Sequence, residues 1–168
     1  KKKEDLKNNI SFILQKKIEI NKKLKKKQSS GPLEPLFSKK IPNLTIQKFL
    51  LRILKYTEAE NMTLILAYGY IEKLIEKENF ILGINNVYRL LLVSVVLAIK
   101  ILEDNKYDNS EYCQIGGLSL KDFNEIEYNM AVRLNFELNL SYEEIETFME
   151  HLNIRFLTIR SMNQCDDS

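Results

Sequence analysis

From Val87 to Leu102 the sequence is apolar on nearly every face of a helix, interrupted only by Tyr88, Arg89, Ser94 and Lys100. A helix that is greasy all round must be enclosed by protein or by lipid. Length excludes lipid, because the longest apolar run, residues 90–99, is about half of the roughly 20 residues that span a bilayer. The segment is therefore expected to be the buried axle of a helical bundle. Five Gly and three Pro in 168 residues leave too few turn formers for an all-β fold, and 45% hydrophobic residues suffice for one core. The predicted class is all-α.

The shell of such a bundle is legible in the periodicity. Ile46, Phe49, Leu50, Ile53 and Leu54 make one helical stripe, and Leu66, Ala67, Tyr70, Ile71 and Leu74 make a second. Beyond the axle, the polar stretch from Asn105 through Asp108, Asn109 and Ser110 to Gly116 and Gly117 reads as a loop. Ser119 with Asp122, and Ser141 with Glu144, are cap signals that open two further helices. In the first, Leu120, Phe123, Ile126, Met130, Ala131 and Leu134 follow at helical spacing, and the second carries Ile145, Phe148, Met149 and Leu152 inward. Residues 153–168 are expected to be a short C-terminal helix or tail.

Charge is split along the chain. Residues 1–27 hold 11 Lys against Glu4, Asp5 and Glu19, a net +8, whereas the remaining 14 basic and 20 acidic residues leave −6. Leu6, Ile10, Ile13, Leu14 and Ile18 recur at helical spacing, so this is read as a basic amphipathic helix that docks one stripe. Its charge fits a nucleic-acid or import arm, a membrane-surface helix or a solubilising face. Residues 28–43 contain all three prolines and form a linker to the body, residues 44–152. The chain opens on Lys1 and is read as a fragment.

Catalytic chemistry finds little to stand on. His151 has no Cys or Asp at ligand spacing, Cys113 lacks an upstream base, and Gly116-Gly117 has neither the preceding strand nor the following Lys of a phosphate loop. Two cysteines make no disulfide framework, which points to a reducing, intracellular setting, nucleus or cytoplasm. No enzyme, cofactor or metal site is expected.

Two charges stand in the wrong place. Lys100 ends the apolar axle with Val93, Val96 and Leu97 on its face, and Glu127 has Phe123, Met130, Ala131 and Leu134 as helical neighbours. A charge in an apolar stripe is costly unless paired. Either the two pair with each other, or Lys100 bonds locally to Glu103 or Asp104 while Glu127 lies at the wet edge of the bundle.

Several blocks then fall into a known order. Phe37-Ser38, Pro42, Ile46, Arg52-Ile53 and Tyr56 come first, followed by Asn86-Val87-Tyr88-Arg89-Leu90, Ala98-Ile99-Lys100 and Tyr107 with Asn109. Ile115-Gly116-Gly117, Asn124 with Glu127, and Leu134-Asn135-Phe136 complete the set. Together they resemble the cyclin box over residues 35–152, most closely that of the P-type or U-type cyclins, which include the fungal phosphate-pathway group. Tyr88, where a His usually precedes the Arg, and Cys113, usually a small or aromatic residue, depart from the pattern.

The resemblance implies a five-helix box with a central third helix and additional helices at both ends. It also implies a regulatory subunit that binds a cyclin-dependent Ser/Thr kinase and positions its C-helix, on which kinase activity depends. Lys100 and Glu127 match the family's polar pair that docks on the kinase, and Ile101, Ala131, Phe136 and Leu138 match its apolar contacts. The alternative is a cyclin-fold adaptor in a transcription or nucleic-acid complex, although the acidic body argues against nucleic acid. No membrane partner is expected.

Overall fold

The computed structural model describes residues 2–26, 34–38, 40–105 and 107–152, and among these every regular element is a helix. The elements are α1 Lys2–Lys23, a 3-10 turn Glu34–Leu36, α2 Ile46–Thr57 and α3 Asn61–Glu78, then α4 Val87–Leu102, α5 Asn109–Ile115, α6 Leu120–Arg133 and α7 Tyr142–His151. The expected C-terminal segment 153–168 and linker residues 28–33 and 39 lie outside the described residues.

α4 is the axle that its composition requires: twelve of its sixteen residues are buried. It is not alone. On α3 every residue from Thr63 to Ile71 is buried, so α3 is enclosed all round where its sequence showed only a stripe. Helices α1 and α7 make the difference, because both pack on α3 and cover faces that a smaller bundle would leave wet. The approach of α7 is close. A Cβ at Gly69 would come within 2.7 Å of Leu140 and 2.8 Å of Phe148, so any larger residue here must displace those side chains.

The basic helix docks as its pattern predicts. Leu6, Ile10, Leu14 and Ile18 are all buried against the body. Polar clamps fix its register: Asn9 donates to the Leu152 carbonyl at 3.0 Å, Asn21 to the Leu82 carbonyl at 3.0 Å, and Gln47 to the Asn8 side-chain oxygen at 2.6 Å. In the linker, Leu36 is fully buried, and the 3-10 turn that carries it packs on α4 and α6. The first turn of α4 holds this segment: Arg89 donates to the Pro35 carbonyl at 2.7 Å and the Tyr88 hydroxyl to the Leu44 carbonyl. Tyr88, the departure from the family pattern, is thus a buried residue, edge-on to Phe49 at 5.2 Å.

Helix starts follow cap chemistry. Thr45 and Ser119 each accept from the backbone N–H three residues on, at 3.1 Å, and Ser141 and Glu144 form a reciprocal box. The stretch read as a loop is corrected at one point. Residues 109–115 form α5, opened by a box between Asp108 and Glu111, and Gly117 at φ +67° ends the turn behind it. Asn, Ser and Glu at the head of a seven-residue helix are the residues that a loop also prefers, so composition alone misassigns them. With α5 counted, the described residues of 44–152 hold six helices, α2 to α7, one more than the five that the resemblance implies, and α1 precedes them.

Candidate functional site

The C-terminal end of α4 delivers Lys100 to the seam between α5 and α6. Its ammonium donates to Glu127 Oε2 and to Asn109 Oδ1, each at 2.7 Å. Asn109 in turn donates to Glu127 Oε1 at 3.0 Å and to Asn124 Oδ1 at 2.8 Å. Four side chains from three helices therefore close one network. The alternative of a local bond for Lys100 is overturned, and Glu103 shows why. Its carboxylate accepts from the Thr63 hydroxyl at 2.6 Å and the Glu60 N–H at 3.3 Å, serving the uncapped start of α3.

The network is neither sealed nor fully wet. The side chains of Lys100 and Glu127 are 28% and 19% exposed. Lys100 has three donors, two of which are used, and each Glu127 oxygen accepts one bond and keeps a lone pair. Such a pair can offer an incoming backbone both a donor and an acceptor at fixed spacing.

The apolar residues expected beside the pair divide by exposure. Ile101 and Leu138 are partly buried against the core, and Ala131 is buried one turn beyond Glu127 on α6. Leu138 is held by its carbonyl, which accepts from the Tyr70 hydroxyl. Burial pushes the Tyr70 phenol well above its ordinary range, so it stays a donor. Phe136 alone of the four is displayed, at 64% exposure, on a turn where Asn135 and Phe136 both have left-handed backbone, φ +54° and +55°. Consecutive left-handed non-glycine residues are costly and mark a turn over-determined by its surroundings. Here the Phe136 N–H donates to the Ala131 carbonyl at 2.8 Å, which ties the ring to the end of α6.

Sequence reasoning missed the roles of Asn109 and Asn124, although both stood in the blocks that carried the resemblance. Tyr128, 65% exposed on α6 beside Glu127, was also passed over. Cys113 is buried with its thiol directed at the Ser110 carbonyl, consistent with a packing residue. His151 is surface-exposed and meets Glu72 at 2.8 Å. Among the described residues no cluster of His, Cys, Asp and Glu could hold a metal ion, and no helix is long and apolar enough to cross a membrane.

The profile of the cyclin family matches residues 4–138, most of the chain. The chain belongs to the cyclin family. The match begins inside α1, so the cyclin homology takes in the basic helix as well as the stretch from residue 35 onward. Cyclin-U1-1 of Arabidopsis thaliana is 35% identical over 147 residues, covering 85% of this chain and 70% of the relative. Cyclin-U2-1 of the same plant is 29% identical over 145 residues, 85% of this chain and 65% of the relative. PHO85 cyclin-like protein psl1 of Schizosaccharomyces pombe is 32% identical over 113 residues, 66% of this chain and 46% of the relative. These relatives place the cyclin in the U or P type, and it spans between about half and 70% of their length.

Proposed function

We propose that this cyclin is a regulatory subunit without catalysis of its own, which binds a cyclin-dependent Ser/Thr kinase and holds the kinase C-helix in its active position. The observation that carries the reading is the Lys100–Glu127 pair at 2.7 Å, partly exposed and with hydrogen-bonding capacity to spare. Kinases of this class require an ion pair between a Lys of strand three and a Glu of the C-helix. A partner that grips backbone near that helix with a donor and an acceptor, and buries apolar side chains beside it, biases the helix inward. Lys100 and Glu127 supply the polar grip, and Phe136 the most accessible apolar anchor, with Ile101, Ala131 and Leu138 as the firmer surface behind it. Fungal relatives named as PHO85 cyclins support a cyclin-dependent kinase as the partner.

The test is reconstitution with each cyclin-dependent kinase of the source cell, scored by phosphorylation of a Ser/Thr-Pro peptide. One kinase is expected to be activated, and Lys100→Ala and Glu127→Ala are expected to remain folded and lose that activation. Truncating a central anchor of such an interface costs at least about 2 kcal/mol of binding. Full activation by both variants would move the kinase surface elsewhere.

A further inference from the structure

Helix α1 buries one face on the body and leaves another unpartnered. On that outer side Phe12, Ile20 and Leu24 are 63%, 52% and 62% exposed, at spacings of eight and four residues. The exposed Lys16, Lys22, Lys23 and Lys26 are interleaved with them, and Lys16 lies 5.5 Å from the centre of the Phe12 ring. Two hollows adjoin the helix, one after the other along its length. One, of about 590 Å³, lies between α1 and the start of α2, and Ser11, Phe12, Thr45 and Gln47 are among its walls. The other, of about 400 Å³, lies between the end of α1 and the α3–α4 loop, and Lys22, Lys26, Phe37, Ile84 and Asn85 are among its walls.

Two features of these hollows agree in sign. Neither has a carboxylate among its described lining residues. Each opens on a helix start, α2 or α4, with no acidic residue in the first turn, and no side chain caps α4. Helix starts carry partial positive charge. Both call for an incoming acceptor, and the exposed Phe12, Ile20 and Leu24 call for apolar side chains beside it.

We infer that the outer surface of α1 with its two hollows is a docking site for an acidic, apolar-containing segment of another polypeptide. A bilayer is flat and cannot fill two successive hollows beside a helix, whereas a peptide can place a carboxylate in one and an apolar side chain in the other. The acidic remainder of the chain, at −6, confines such a partner to this face. The site lies near the start of α4, about 20 Å along that helix from Lys100. It is therefore separate from the proposed kinase surface and does not depend on that reading.

The experiment pans a phage-displayed library of random linear peptides on the full chain, in the absence of any kinase. Recovered peptides are expected to combine Asp or Glu with Phe, Leu or Ile, and to bind more weakly as salt rises. They are expected to bind at least tenfold more weakly to the triple variant Lys22→Gln/Lys23→Gln/Lys26→Gln, while melting curves stay unchanged because the substitutions remove no packing. Recovery of peptides without acidic residues, or equal binding to the triple variant, overturns the proposal. So does failure to recover any peptide, whether or not phosphatidylserine vesicles sediment the chain.

Discussion

Asn109 and Glu127 meet across two helices, amide N–H to carboxylate at 3.0 Å, while the same Asn109 side chain takes a hydrogen bond from Lys100 through its oxygen at 2.7 Å. One carboxamide thus spaces the two charges by giving to the anion and accepting from the cation. Replacement by Ala leaves the direct Lys100–Glu127 bond and removes the spacer. Asn109→Ala is expected to lower stability by about 1–2 kcal/mol in urea unfolding. If the proposed kinase surface is right, activation falls further than stability explains, because the pair can then rotate.

Phe136 separates folding from binding. Its φ of +55° suits glycine, and its ring, 64% exposed, adds little to the core. Phe136→Gly is expected to leave thermal stability unchanged or raise it by up to about 1 kcal/mol. Kinase affinity, measured by titration, is expected to drop by at least about 2 kcal/mol. Loss of both together would assign the ring a role in the fold.

Gly69 governs the seating of α7. A methyl there meets Leu140 at 2.7 Å and Phe148 at 2.8 Å. Gly69→Ala gains helix propensity of about 1 kcal/mol in α3, yet overpacking of a tight contact costs about 1–3 kcal/mol. The expected result is net destabilisation, with faster amide exchange in α7 than in α4.

Acid acts on the same helix through Glu144. The hydrogen bond from Lys73, with those from Ser141, holds its carboxyl below the ordinary value of 4.5. A depressed carboxylate contributes stability that is complete above the unfolded value and is lost as pH falls through the folded one. Stability is therefore expected to decline below about pH 4.5, and Glu144→Gln to flatten that decline. The side chain is 38% exposed, so the effect is modest. Melting curves of both proteins across this range provide the check.

The axle, the docked stripe of α1 and the caps at Ser119 and Ser141 were legible because each is a local pattern of spacing. The second enclosed helix was not, because full burial of Thr63 and Tyr68 depends on which distant helices cover α3. Helix α5 was hidden by residues that suit loops and short helices equally. At the site, Lys100 and Glu127 stood out as charges in apolar stripes, whereas Asn109 and Asn124 are polar residues in polar surroundings. Nothing in spacing tells such an amide from an ordinary loop residue; only the fold brings the four together.

Glu103 is the nearest carboxylate in sequence to the ammonium at the end of α4, and it is already committed to the opening turn of α3. That commitment withdraws from Lys100 the nearer of its two local carboxylates, Glu103 and Asp104. Were Glu103 released, the lysine could fold back on its own turn and Glu127 would stand alone. A hydroxyl on α3, Thr63, thereby guards the charge geometry of a surface to which it contributes no atom.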